Sequence, residues 1–254
     1  MGWVWRVDLR KSHRLAVLPG RRFNFSHYGD ITRILYEQQH LVRFGKSFEA
    51  DILKRFLELI RPGSVILDIG ANVGLFSLVG AEAAGANGKI LGFEPNPVTY
   101  ATLLRNLSLN GVGNVRTFPI ALSDHPGRIR LSVPKEVRAQ FTYSDSYLSI
   151  DPSVNDDPTA QIECKRLDDV LAEQGIDRVD LMKIDVEGAE HLCLKGAERL
   201  LSGSSKPVIL MECDETLSRR FGYSVFDTLL LLHQYGYACE QVGVHQWIAR
   251  PAVS

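Results

Sequence analysis

The chain lacks a surplus of charge. Its 29 Lys and Arg are balanced by 30 Asp and Glu, leaving a formal net charge of −1, so no global basic excess attracts nucleic acid or an acidic membrane surface. The basic stretch from Arg6 to Arg14 is interrupted by Asp8 and reads as a solvated face. Cysteine is scarce. Cys164, Cys193, Cys213 and Cys239 lie far apart without a CxxC pair, which argues against a zinc site or a disulfide framework and for buried thiols in a reducing compartment. No uninterrupted apolar run approaches a membrane span. The opening MGWVWRVDLRKSHR puts Arg6, Asp8 and Arg10 where a secretory signal would be apolar. Arg6 also stands where a myristoylation signal would carry Ser or Thr. The cytoplasm is the expected location. Internal repeats and low-complexity tracts are absent from the sequence.

What is present is enough apolar residue for a sizeable core. At 254 residues, 45% hydrophobic and 23% charged, the chain suits one large α/β domain or at most two small ones. Residues 14–25, RLAVLPGRRFNF, predict two short strands around Pro19-Gly20. Residues 47–60 predict an amphipathic helix, with Phe48, Ile52, Leu53, Phe56, Leu57 and Ile60 on one face and Arg61-Pro62-Gly63 as its stop. Strands are then expected at 65–69, 89–93, 115–122, 179–184 and 207–212. Helices fall at 74–84 and about 97–110, the latter with Val98, Ala101, Leu104 and Leu107 inward. Near-continuous apolar strands between helices predict a doubly wound, mostly parallel sheet covered on both faces. The runs YACEQVG and HQWIAR, within 237–250, would close it as an antiparallel pair. Residues 1–45 read as an N-terminal extension and 46–254 as the main domain. An insert at about 125–160, rich in aromatic and hydroxyl groups, reads either as decoration or as a cover over a substrate site.

Chemistry concentrates at the strand ends. Ligands of open α/β sheets bind beyond the carboxyl ends of the strands, near the switch point, and Asp68, Glu94, Asp185 and Glu212 all fall at expected strand ends. Singly, each could cap the following helix; together they point to a site, because like charges on one edge repel and need donors or solvent. In VILDIGANVGLFSL, residues 65–78, Gly70 and Gly74 frame a strand-to-helix turn. The dinucleotide fingerprint is GxGxxG, and here Asn72 replaces its middle glycine, so a pyrophosphate would be held less closely. Glu94 could accept from two ribose hydroxyls, and a nucleoside without phosphates fits this set better than NAD. The LDD at 167–169 reads as a helix start capped by Asp168 or Asp169, and His125, His191 and His245 read as structural.

With VILDIGANVGLFS (65–77), FEPNP (93–97), PIALSD (119–124), LDDVL (167–171) and KIDVEGAEHLCLKGA (183–197) in this order, the sequence resembles the FkbM family of class I S-adenosylmethionine-dependent methyltransferases. The resemblance covers about residues 45–215; the upstream GDITRILYE fits it loosely. It implies a Rossmann-like, mostly parallel seven-stranded sheet and an S-adenosylmethionine donor along the strand edge. Asp68, Gly70, Asn72 and Gly74 would border its methionine part, Glu94 its ribose, and Ala121 to Asp124 its adenine. Asp185 would sit near the transferring methyl. The substrates implied are hydroxyls of sugars, glycoconjugates or natural products.

Alignment alone can remove up to roughly 7–11 kcal/mol of such a barrier, but an alcohol must also lose its proton to a base or a metal. Asp185 and Glu187 are the candidates for that step, as a base or as a pair holding a divalent cation; a plain capping role for Glu187 is the alternative. The expected partners are a small-molecule or carbohydrate acceptor, with further copies of the chain left open; neither nucleic acid nor a membrane span is expected. Three other classes remain at this point: a nucleotide-dependent oxidoreductase, a non-catalytic binding protein that retains the fold, and a nucleic-acid methyltransferase. Asn72 speaks against the first and the retained acids and glycines against the second. IDVEG, where amino-methylating enzymes carry an (Asp/Asn)-Pro-Pro-aromatic motif, speaks against the third.

Overall fold

A computed structural model describes residues 12–18, 21–26, 48–132, 147–149 and 161–252. The first two strands, β1 (Ser12–Leu18) and β2 (Arg21–Ser26), form an antiparallel hairpin, as the sequence predicts; the Pro19-Gly20 turn and the GDITRILYE stretch lie outside the described residues. A helix, α1 (Phe48–Leu59), leads into the main sheet.

Five parallel strands form the body of that sheet: β3 (Val65–Ile69), β4 (Lys89–Phe93), β5 (Val115–Phe118), β10 (Leu181–Ile184) and β11 (Val208–Glu212). Two antiparallel strands, β12 (Tyr237–Gln241) and β13 (Gln246–Pro251), complete the order β12-β13-β11-β10-β3-β4-β5. The chain winds outward from β3 through β4 to β5, then returns to lay β10 against the other side of β3. The switch point is therefore the β3–β10 junction, where a crevice is expected.

Alternation along these strands splits the core. Ile66, Ile90, Leu181 and Leu210 face Phe56 and the helix α2 (Leu75–Ala84), while Leu67, Leu91, Met182 and Ile209 face the opposite layer. All eight are buried, so both faces exclude water, and a polar side chain in these strands must find its partner inside the protein.

Three expectations need correction. The run 115–122 is two strands: β5 stops at Phe118, and β6 (Ala121–Leu122) belongs to a second sheet of order β6-β9-β7-β8. Pro119 lies between them and has no N–H to continue the ladder. That second sheet contains β7 (Gly127–Ser132), β8 (Tyr147–Ser149) and β9 (Gln161–Lys165). Part of the insert is thus built sheet; its residues 133–146 and 150–160 lie outside the described residues.

Helix α3 (Pro97–Asn110) has the expected limits, with Asn96 Oδ1 accepting from the N–H groups of Val98 and Thr99. Its buried face is nevertheless Thr99, Thr102, Leu103, Asn106 and Leu107, and Ala101 and Leu104 are exposed. Asn106 Nδ2 donates to Val73 O at 2.7 Å and Thr102 Oγ1 to Val98 O at 3.2 Å, while the buried Thr99 hydroxyl has no hydrogen-bond partner. A purely apolar face was the wrong pattern to seek.

Third, α4 (Leu167–Glu173) takes no side-chain cap from its own aspartates. Asp168 instead accepts from the N–H of Arg199 at 2.7 Å and of Leu200 at 3.1 Å, capping the short helix α5 (Glu198–Ser202) thirty residues on. Cys164, Cys193 and Cys213 are buried free thiols, and Cys239 is half-buried. No helix among the described residues is long and apolar enough to cross a membrane.

Candidate active site

The glycine turn after β3 is bound to the end of β4 by three successive backbone donors. The N–H groups of Gly70 and Ala71 both reach Phe93 O, at 3.0 and 2.8 Å, and Asn72 N–H reaches Glu94 Oε2 at 2.9 Å. Gly70 (φ 77°), Asn72 (φ 50°) and Gly74 (φ 94°) are all left-handed. Gly70 has a second constraint: a Cβ there would lie 1.8 Å from the carbonyl oxygen of Asp185, so the first glycine lets β3 and β10 close at the switch point. Gly70→Ala therefore meets both a steric clash and a disfavoured backbone. We expect it to destabilise the fold by more than the ~1 kcal/mol typical of a benign glycine change, as a lowered urea midpoint; an unchanged midpoint would show that the two loops need not touch.

Glu94 bridges the turns after β3 and β4. Its Oε1 accepts from Asn96 N–H at 2.8 Å while Oε2 holds Asn72. Each oxygen keeps acceptor capacity beyond these bonds. Burial pushes its carboxyl up to about 7, against the pull of the two N–H groups.

Below this turn lies a group the sequence reading passed over. Lys183, in β10, is 6% exposed. Its Nζ donates to Gly70 O at 3.1 Å and to Asp185 Oδ2 at 3.2 Å, stands 3.9 Å from Asp68 Oδ1, and lies over the Phe76 ring at 5.0 Å. Burial favours the neutral amine, but the Asp185 and Asp68 carboxylates outweigh it and hold the ammonium above its usual range. Asp68 is its register partner across β3 and β10. Fully buried, Asp68 accepts from Ser77 Oγ at 2.6 Å and has no hydrogen-bond partner at Oδ1. Burial raises its carboxyl, opposed by Lys183 and Ser77. Glu212, at the end of β11 and bonded by Gln246 Nε2 at 3.1 Å, is raised by burial and by nearby Asp185. The sequence clue was available: one lysine inside the apolar run VDLMKI.

Asp185 follows β10 directly, its N–H on Ile69 O at 3.0 Å, with a side chain 36% exposed. Glu187 is left-handed at φ 57°, rare for a residue with a long side chain. The turn is pinned by Glu190, whose Oε1 accepts from Val186 N–H at 3.2 Å and Gly188 N–H at 3.1 Å. Burial pushes that carboxyl up to about 7. Glu187 is half-buried, and backbone strain of this kind clusters at functional sites.

Ala121 and Asp124 belong to a separate cluster. Ala121 is buried in β6. Asp124 is engaged by Lys195 Nζ at 3.0 Å and His125 Nδ1 at 2.7 Å; partial burial raises its carboxyl, but these two partners hold it below the usual range. His191 stacks on Tyr223 at 3.9 Å, and His245 pairs with Asp214 at 3.2 Å. Among the described residues no group of three or more His, Cys, Asp or Glu is arranged to hold a metal ion.

Strand order and a glycine turn at the switch point define a Rossmann-like class I methyltransferase fold. The model of the methyltransferase FkbM domain matches residues 68–239, and the chain belongs to that family. It is 37% identical over 156 residues to Methyltransferase sdnD of Sordaria araneosa, covering 52% of this chain and 60% of that protein. It is 32% identical over 161 residues to the 31-O-demethyl-FK506 methyltransferase FkbM of Streptomyces tacrolimicus, covering 55% and 61%. The match thus spans about three fifths of the length of these curated relatives. The crystal structure of Methyltransferase FkbM from Methylobacillus flagellatus shares the fold with a TM-score of 0.50 at 16% identity, covering 87% of this chain and 59% of that one.

Proposed function

We propose that the protein is an S-adenosylmethionine-dependent O-methyltransferase acting on a hydroxyl of a sugar, glycoconjugate or natural product. The observation that carries the reading is the carboxylate edge. The Lys183 ammonium stands 3.2 Å from Asp185 Oδ2 and 3.9 Å from Asp68 Oδ1, Glu212 ends the neighbouring strand β11, and Glu94 stands beside the Gly70 turn. Burial disfavours the ionised form of Asp68, Glu94 and Glu212, and a positively charged ligand at this edge would favour it, so the set suits a cationic ligand. S-adenosylmethionine supplies an electrophilic methyl group on a cationic sulfur. The residues present fit it: the glycine turn lets a ligand approach backbone, and Glu94 has acceptor capacity for ribose hydroxyls. Asp68 acts from beneath, fixing Ser77 and Lys183. In this reading Ala121 and Asp124 flank the adenine, and Asp185 and Glu187 face the acceptor, one of them taking the hydroxyl proton. The Streptomyces tacrolimicus relative, a 31-O-demethyl-FK506 methyltransferase, supports a hydroxyl acceptor. A donor-consumption screen against sugars, glycolipids and hydroxylated small molecules tests the reading; methylation confined to nitrogen acceptors would overturn it.

Glu94 gives a sharper check. Removing charge-assisted bonds of about 1.5–3 kcal/mol should weaken donor binding roughly ten- to a hundredfold in Glu94→Ala. A carboxyl held near 7 is half protonated at neutral pH, and ribose hydroxyls need its ionised form. Donor affinity should therefore fall as pH drops below 7, and Glu94→Gln should abolish that dependence, its single amide oxygen accepting from only one of the Asn72 and Asn96 N–H groups. Calorimetry across pH 6–8 reads both effects; a flat wild-type profile with unchanged affinity in the variants returns Glu94 to a purely structural part.

A further inference from the structure

At the opposite edge of the main sheet is a cavity of about 670 Å³ that the methyl-transfer reading does not use. Its walls come from the end of α1 (Arg55, Glu58, Leu59), the turn before β3 (Arg61, Pro62, Ser64), and the residues leading into β10 (Arg178, Asp180). The first residue of β11, Val208, and the last part of β13, Ile248 and Arg250, close it. All these lie where the parallel strands begin, a strand length from the carboxylate edge.

Four arginines, Arg55, Arg61, Arg178 and Arg250, line the cavity. Arg178 is committed: it pairs with Asp180 at 3.0 Å through both Nε and Nη2, and Asp180 Oδ2 also accepts from Val65 N–H at 2.8 Å. Glu58 stands 3.9 Å from Lys54. Arg55, Arg61 and Arg250 make no ion pair among the described residues. Against Arg55, Arg61 and Arg250 the cavity sets only the Glu58 carboxylate beside the committed Arg178–Asp180 pair, so the concavity keeps an excess of positive charge that an anion would relieve. The volume lies in the range of small-molecule sites, and Val208, Ile248 and Leu59 add an apolar wall.

We propose that this cavity is a binding site for a phosphate-bearing small molecule, with a diphosphate as the recognised group. A carboxylate offers two oxygens and satisfies one fork, whereas a diphosphate carries several charges and enough acceptor oxygens for three. Nucleic acid is the poorer match, since the arginines converge on a pocket instead of forming a stripe on a basic chain. Lying away from the donor edge, the site would serve an effector or an anchoring group.

The test is calorimetric titration of the full chain with inorganic pyrophosphate, at matched ionic strength, beside inorganic phosphate and S-adenosylmethionine. The expected result is saturable binding of pyrophosphate, tighter than that of phosphate and not competed by S-adenosylmethionine. The double variant Arg61→Gln/Arg250→Gln should weaken it at least tenfold, with Arg55→Gln alone giving a smaller loss and thermal midpoints kept near wild type. Absence of saturable binding, competition by S-adenosylmethionine, or equal affinity in the folded variants would overturn the proposal. The outcome is independent of whether the carboxylate edge transfers methyl groups, because neither readout requires turnover.

Discussion

Lys183→Met should lower the stability of the fold by about 3–5 kcal/mol, the usual cost of removing one partner from a buried ion pair. The substitution keeps most of the side-chain volume, so the loss is electrostatic. Asp68 is fully buried with one carboxylate oxygen lacking a hydrogen-bond donor, and Lys183 heads the influences that oppose its desolvation. The pH dependence follows from the direction of the shift. A carboxyl raised on folding binds protons in the native state that the unfolded chain has released, so stability falls as pH rises from the unfolded value towards the folded one. Without Lys183 the Asp68 carboxyl is raised further, and this fall extends to higher pH. Urea unfolding from pH 5 to 8 should show the variant closest to wild type at the acidic end. A constant difference across that range would mean that Lys183 contributes packing on Phe76 and not charge.

The second large effect is on turnover. Asp185→Asn or Glu187→Gln should cut the rate by about 10²–10⁴, the usual share of a general base, with donor affinity much less affected. Asp185 is a partly exposed carboxylate of the cluster, oriented by Lys183 at 3.2 Å. Glu187 emerges from a left-handed turn that Glu190 pins on both sides. An amide in either place keeps size and hydrogen bonding but cannot take the proton. Wild-type turnover by both variants on a verified acceptor would move the base to His191, Glu212 or His245. A chelator that stops turnover, with recovery on adding magnesium or manganese, would assign the proton step to a divalent cation instead.

Local signals were legible in the sequence, and distant partners were not. The limits of β3 and β4 follow from apolar runs bounded by turn residues, and the start of α3 from Asn96-Pro97, each a signal contained within a few residues. The carboxylates at the strand ends were visible for the same reason. Lys183 was passed over because a lone polar residue in an apolar run announces a buried partner without naming it; that partner, Asp68, lies on another strand 115 residues earlier in the chain. Asp168 gave a correct capping signal with the wrong helix attached, since its recipients, Arg199 and Leu200, come together with it only in the folded chain. The break at Pro119 was readable from proline alone; the apolar residues on either side concealed it.

The central claim is that the carboxylate edge binds a cationic methyl donor. Calorimetry with S-adenosylmethionine, its demethylated product and NAD tests it most directly. The account predicts one saturable site for the first two, weakened in Glu94→Ala, and none for NAD. Binding of NAD alone, or no binding of S-adenosylmethionine to the folded protein, would contradict it.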